Sequence, residues 1–327
     1  MKNNFKVLAI LVLIMLVFVG CSNESQDTPE PKEEGSKDIK TIEHQLGTTD
    51  IEETPKNIVV LEWVYAEDLL ALGIQPSGVA DIEGYNNWVN VDVNLDDDVV
   101  DVGTRQEPNL ETIASLNPDL IITAGFRHEA IYDKLNDIAP TLAFNPYPEE
   151  GEYTQYEEME DTFNKIAEVV EKEEEAKEVL EQLDKKYEEA KKEIEESDLE
   201  TKDYVLSQAY SSQDVPTIRL FTDNSMAVEI FSRLGLNNSF ETDNFELYGF
   251  ATATVEDLIP VQDANFIYIV QEDDNVFDNQ LKDNPVWNKL SFVEEDRTYS
   301  LGGDTWVFGG PLSAEVVVDK VLEVLIK

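Results

Sequence analysis

Cysteine is nearly missing from this 327-residue chain, with Cys21 the one thiol. A single cysteine excludes an internal disulfide and a thiolate metal cluster. Histidine is almost as scarce: His44 and His128 stand far apart, so neither an H-E-x-x-H helix nor a multi-histidine zinc cage can be built. G-x-S-x-G, a Cys–His pair and a glycine-rich phosphate loop are all lacking, so no motif argues for an enzyme. Positive charge is short too. Lys and Arg number 24 against 70 Asp and Glu, a formal net charge of −46. Nothing then offsets phosphate repulsion, which excludes nucleic acid as a partner and disfavours adsorption to an anionic leaflet. The excess runs along the whole chain, which suggests solubility in salty or alkaline surroundings more than a site.

The lone cysteine has a telling position. Lys2 and Lys6 precede an apolar stretch from Val7 to Val19, then Gly20, then Cys21 and a polar run. That is a charged n-region, a short h-region and a cleavage site, too short for a comfortable spanning helix. A cysteine directly after the small residue resembles a bacterial lipobox, in which the thiol is diacylated and becomes the new N-terminus. Phe18 stands where the usual leucine would be. The plain alternative is an ordinary secretory signal with an incidental cysteine. We take Cys21 as a lipid (palmitate-type) anchor on the outer face of a Gram-positive cell membrane, since two or three acyl chains give stable attachment. Removing 1–20 takes the net charge to −48.

Residues 21–40 are polar, with two prolines and a glycine, and read as a flexible tether. From residue 57, short apolar runs alternate with amphipathic stretches. "NIVVLEW", "SGVAD", "DVVDVGT", "PDLIITAG" and "PTLAFNP" are strand candidates; "YAEDLLALG", "NLETIASLN" and "EAIYDKLNDIA" are helices. This alternation predicts an α/β fold with a mainly parallel sheet covered on both faces. Residues 154–196 carry no proline or glycine, and Ala176, Leu180, Leu183, Tyr187, Ala190 and Ile194 form one apolar stripe. A helix from about Lys172 to Glu196, roughly 37 Å long at 1.5 Å per residue, forms a bridging segment (172–197) that separates an N-terminal lobe (41–171) from a C-terminal lobe (198–327). The stripe covers fewer than three heptads, short of a coiled-coil dimer, and a monomer is expected. In the second lobe, "YVLSQAY", "TIRLFT", "NFIYIV" and "TYSLGG" read as strands; "SMAVEIFSRLGL", "TVEDLIP", "NPVWNKL" and "SAEVVVDKVLEVLI" read as helices. Ligands of open α/β sheets bind beyond the carboxyl ends of the strands, so the cleft between the lobes is the expected site.

Arginine is confined to five positions: 105, 127, 219, 233 and 297. Arg105 and Arg127 follow predicted strands, in "VGTR" and "TAGFR", and Arg219 lies within one. A planar guanidinium that grips carboxylates bidentately suits such places better than lysine. Trp63 at a predicted strand end, Trp88 in "GYNNW" and Trp306 in "GGDTW" keep them company as candidate ligand contacts. The plain alternative is surface ion pairing in an acid-rich protein, and it weighs most on Arg219, Arg233 and Arg297. Asp92, Asn94 and Asp96 have calcium-loop spacing, but Asp97 and Gly103 stand where glycine and a bidentate glutamate belong, so this reads as a solvated loop.

"VVDVGTRQEPNLETIASLNPDLIITAGFRHEAIYDKL", "LFTDNSMAVEIFSRLGLNN" and "GDTWVFGGPLSA" together resemble the iron-siderophore substrate-binding lipoproteins of ABC importers, in their ferric-citrate and hydroxamate branch. The similarity spans 41–327. It implies two Rossmann-like lobes joined by one long bridging helix, with little hinge motion. It further implies capture of a ferric siderophore, citrate-based or hydroxamate, for delivery to an ABC permease. The siderophore's own oxygens hold the iron, so no cofactor and no protein-held metal are expected. Glutamates that dock the permease match Glu111 in "PNLE" and Glu256 in "TVED", although helix capping would also explain both. Relatives that bind citrate-based siderophores use arginines matching Arg105 and Arg127, and Arg219, Tyr210 and Trp306 are the second-lobe candidates. Three rival readings stay open: a cobalamin or haem carrier of the same class, a lipid-anchored siderophore hydrolase, and an adhesive surface lipoprotein.

Overall fold

The computed structural model describes residues 39–213 and 215–326. The signal segment, Cys21 and the tether up to residue 38 lie outside the described residues.

The first element is a hairpin that the sequence reading did not contain. Strands β1 (Lys40–His44) and β2 (Gly47–Ile51) pair antiparallel, starting at the last residue of the expected tether. Ile42, Thr49 and Ile51 are its buried residues, and Thr49 Oγ1 donates to the Thr141 carbonyl at 2.8 Å.

The first sheet holds β3 (Ile58–Val60), β4 (Gly78–Val79), β5 (Val100–Asp101), β6 (Leu120–Ala124) and β7 (Thr141–Phe144). All neighbours are parallel, in the order β5-β4-β3-β6-β7. All residues of β3 and of β6 are buried, the pattern of strands covered on both faces. The helices between them are α1 (Trp63–Ala71), α2 (Ile82–Trp88), α3 (Leu110–Ser115), α4 (Gly125–His128) and α5 (Tyr132–Asn136). The chain winds one way from β3 to β5 and then jumps back to β6. The strand order therefore reverses between β3 and β6, and a crevice opens there beyond the strand ends.

Two helices follow. α6 (Gln155–Val170) starts at a capping box formed by Thr154 and Glu157 and stops where Glu171 turns left-handed, φ 57°. α7 (Glu173–Glu196) then runs back, within one residue of the expected bridge at each end. Of its stripe, Ala176 packs in the first lobe's core, and Leu183, Tyr187, Ala190 and Ile194 pack in the second's. α6 crosses in the opposite sense: Tyr156 and Met159 belong to the second core, Phe163, Ile166 and Val169 to the first. Tyr156 and Tyr187 share a hydroxyl hydrogen bond of 3.2 Å. The bridge is thus reinforced by a partner helix.

The second lobe contains β8 (Asp203–Ser212), β9 (Val215–Phe221), α8 (Met226–Arg233), β10 (Asn237–Asn238), β11 (Phe250–Ala253), β12 (Asn265–Ile269), α9 (Val276–Asn279), α10 (Ser291–Glu294), β13 (Thr298–Ser300) and α11 (Pro311–Leu325). Its strand order is β11-β9-β8-β12-β13, with β10 also on β8. β8 pairs parallel with β10 and β12, and β12 with β13; β9 is antiparallel to β8 and β11. This sheet is mixed because β8 and β9 are joined too closely for a crossover. "TVEDLIP" folds as a 3-10 helix, Val255–Val261, and "NPVWNKL" as one 3-10 turn, Trp287–Lys289.

Candidate functional site

A cavity of about 330 Å³ lies between the lobes. Its first-lobe wall comes from the carboxyl ends of strands: Glu62 after β3, Arg105 after β5, Phe126 and Arg127 after β6, Tyr147 after β7. The second lobe adds Arg219 from β9, Tyr248 and Phe250 at β11, and Trp306 and Phe308 ahead of α11.

Glu62 organises the floor. Its Oε1 accepts from Arg105 Nη1 at 2.7 Å and its Oε2 from Arg127 Nε at 2.8 Å. The carboxylate side chain is 7% exposed, those of the arginines 16% and 20%. Arg105 also lies over Trp63, with Cζ 3.4 Å from the ring centroid, a close cation–π contact that helps hold the guanidinium in place. Neither Nη group of Arg127 makes a hydrogen bond among the described residues, so its outer edge remains available as donor.

Opposite them, Arg219 on β9 stands directly across from Gln208 on β8, in whose Oε1 its Nη1 finds an acceptor at 2.9 Å. Tyr210 lies two residues along the same face, its ring 5.0 Å from the Arg219 Cζ, and the Phe250 ring is 4.2 Å from the same atom. Arg219 has no carboxylate partner among the described residues. Three guanidinium charges against the Glu62 carboxylate leave the lining at a formal +2, with Asp81, outside the lining, in a longer ion pair with Arg105 Nε at 3.9 Å. His128, beside Arg127, is buried with Nδ1 2.5 Å from Thr123 Oγ1. Burial lowers its pKa, reinforced by the Arg127 charge, so it adds no positive charge near neutral pH.

Aromatic rings complete the wall in an unbroken series: Phe126–Tyr147 at 5.3 Å, Tyr147–Tyr248 at 5.0 Å, Tyr248–Phe250 at 6.3 Å, Phe250–Phe308 at 6.1 Å and Phe308–Trp306 at 5.3 Å. The Tyr147–Tyr248 pair crosses from one lobe to the other.

Of the expected ligand contacts, Arg105, Arg127, Arg219 and Trp306 line the cavity and three others do not. Trp63 is the first residue of α1 rather than a strand end. It is 2% exposed, its indole N–H donating to the carbonyls of Ala80 and Asp81, and it acts as the platform under Arg105. Trp88 packs behind Trp306 at 6.5 Å. Tyr210 flanks Arg219, its hydroxyl 3.5 Å from Nη2. Arg233 and Arg297 make ion pairs elsewhere, with Glu229 at 3.0 Å and Glu295 at 2.8 Å. Glu62 and the rings at 126, 147, 248, 250 and 308 were not anticipated. Glu62 could have been found, as the one charge in the apolar run from Ile58 to Ala66, at a strand's carboxyl end.

Glu111 and Glu256 are both exposed in the first turn of a short helix, one in each lobe. Neither caps its helix. Asn109 accepts from the N–H of Glu111 and Thr112, and Thr254 with Asp257 forms the other cap. The two carboxylates make no hydrogen bond or ion pair among the described residues.

A model of the periplasmic binding protein family matches residues 58–305. This chain belongs to that family. Over 318 residues it is 33% identical to the Fe(3+)-citrate-binding protein YfmC of Bacillus subtilis (strain 168), covering 97% of this chain and 95% of that one. It is 26% identical over 340 residues to the iron(3+)-hydroxamate-binding protein YxeB of the same organism, covering 100% and 98%. Among solved structures, the siderophore-binding protein FhuD of Vibrio cholerae, bound to Fe3+-Desferal, superposes with a TM-score of 0.73 at 26% identity, covering 83% of this chain and 97% of that one. These relatives are binding proteins, and the helix-bridged two-lobe architecture is the periplasmic binding protein fold expected from the sequence.

Proposed function

We propose that this chain captures an anionic ferric siderophore, citrate-based in preference to neutral hydroxamate, and hands it to an ABC permease for iron uptake. The observation that carries this reading is the convergence of Arg105, Arg127 and Arg219 on one aromatic-walled cavity between the lobes. Guanidinium forks suit carboxylate oxygens, and the surrounding rings suit the apolar stretches of a chelate. Support for a citrate-type ligand comes from the +2 lining and from the 33% identical Fe(3+)-citrate-binding relative.

The chain's charge of −46 does not prevent anion capture. Beyond a Debye length, about 8 Å at physiological salt, distant carboxylates are screened, whereas the cleft arginines act at contact distance in a desolvated pocket. Binding requires no covalent step: the site is preformed and the iron stays on the siderophore's oxygens. α6 and α7 brace the lobes, which favours small movements on loading.

Glu111 and Glu256, one per lobe and free of capping duties, are the proposed permease contacts. Cys21 is the proposed lipid anchor, holding a monomer at the outer face of the membrane. Among the described residues no helix is long and apolar enough to cross a membrane.

A competition panel of iron-loaded siderophores, read by intrinsic tryptophan fluorescence, tests the reading. Ferric citrate and citrate-hydroxamate chelates are expected to saturate the site and displace one another, with a neutral trihydroxamate competing poorly. Absence of saturable quenching by any ferric chelate would overturn it.

A further inference from the structure

The N-terminus of α11, in the second lobe, is capped by a carboxylate from the first. Glu67 on α1 is fully buried. Its Oε1 accepts from the backbone N–H of Gly310 at 2.8 Å and of Ser313 at 2.7 Å, and its Oε2 accepts from Ser313 Oγ at 2.6 Å. α11 has no side-chain cap of its own, because Gly310 occupies the N-cap position. The approach leaves no room for side chains: a Cβ at Gly309 would stand 2.5 Å from Glu67 Oε2, and one at Gly310 2.5 Å from Asp68 Oδ1. A carboxylate held by the free N–H groups at a helix start is electrostatically favoured.

The chain just before this cap carries Trp306 and Phe308 into the cavity. Its other end is also tied to the first lobe, where Asn90 Nδ2 donates to Asp304 Oδ2 at 2.7 Å and the Asn90 N–H to the Asp304 carbonyl at 3.2 Å. Residues 304–310 thus form a strap anchored at both ends to the opposite lobe, with Trp306 packed between Trp63 at 5.1 Å and Trp88 at 6.5 Å.

We propose that Glu67 is a positioning residue for the ligand cleft, fixing through its cap on α11 the depth at which Trp306 and Phe308 stand. It touches no ligand itself. The proposal rests on the cleft being the siderophore site, and its test separates the two ideas.

The experiment labels the chain's four tryptophans with 5-fluorotryptophan and follows them by 19F NMR, with Trp306 assigned through Trp306→Phe. In Glu67→Ala the Trp306 resonance is expected to shift or split while that of Trp287, in the distant second-lobe core, stays. Ferric citrate affinity should fall tenfold or more. Glu67→Gln keeps an oxygen acceptor for the two backbone N–H groups and should restore the resonance and most of the affinity. Should Glu67→Ala not fold, Ser313→Ala removes the hydroxyl bond alone and should shift Trp306 by less. An unmoved Trp306 resonance in the variant examined, or full affinity in Glu67→Ala, overturns the proposal whatever the melting temperature does. If the wild-type protein binds no ferric chelate, the functional reading fails, and the ligand-free Trp306 resonance still decides the role of Glu67.

Discussion

Glu62 divides its carboxylate between two arginines, taking Arg105 on one oxygen at 2.7 Å and Arg127 on the other at 2.8 Å. It holds the two like charges in place before any ligand arrives. Removing one partner from a buried ionic cluster costs about 3–5 kcal/mol, and partial exposure of these arginines reduces that to roughly 1–3 kcal/mol. A bound polyanion would supply much of the missing negative charge. Glu62→Gln is therefore expected to lower the melting temperature more without ferric citrate than with it. Differential scanning fluorimetry in both conditions checks this, and equal losses in the two would contradict it.

Arg105 acts through shape as well as charge, because its guanidinium lies 3.4 Å over the Trp63 ring. Arg105→Ala is expected to weaken ferric citrate binding tenfold or more, about 1.4 kcal/mol. Arg105→Lys should not restore it, since an ammonium neither stacks nor binds bidentately. Isothermal titration calorimetry distinguishes the outcomes. Wild-type affinity in the lysine variant would mean that charge alone matters.

Glu111 and Glu256 lie outside the cavity lining. The double substitution Glu111→Ala with Glu256→Ala should leave ferric siderophore affinity unchanged and abolish radiolabelled iron uptake by cells. Impaired binding in the purified variant would show that these residues serve the fold or the site instead.

Glu158 is buried on α6 and accepts from Thr162 Oγ1 at 2.5 Å. Burial raises its pKa to about 8 from 4.5, against the opposing pull of Thr162. The folded state then keeps a proton that the unfolded chain releases, so stability falls as pH rises from about 4.5 to about 8. Glu67, lifted to about 7 by burial, acts in the same direction. His44 and His128, both lowered by burial, act oppositely as pH rises toward 6.5. The clearest window is therefore pH 6.5 to 8. Melting temperature should decline across it and decline less steeply in Glu158→Gln; parallel curves would exclude Glu158 as a source.

The parallel first sheet was legible because β3 and β6 are continuous apolar runs, and the bridge because its stripe at three and four residue steps admits only a helix. Arg105 and Arg127 were legible from their place after strands. The β1–β2 hairpin escaped notice because Lys40–His44 buries Ile42 alone, too little apolar content to mark a strand. Trp63 and Trp88 were misplaced because sequence spacing cannot say whether a ring faces the cavity or backs a residue that does. The second sheet's antiparallel half depends on how tightly β8 turns into β9, which apolar periodicity does not report. Glu62 stands out in the sequence as the one charge between Ile58 and Ala66, but its role as the link between two arginines exists only once those distant residues fold against it.

Guanidinium charge in the interlobe cavity is the feature on which ligand capture turns, and one titration addresses it directly. Ferric citrate is titrated by calorimetry into the wild-type protein and into the Arg105→Ala, Arg127→Ala double variant, at low and at high salt. Saturable one-to-one binding is expected in the wild type, weaker at high salt, with at least a hundredfold loss in the double variant. Equal affinity in the two proteins would contradict the account.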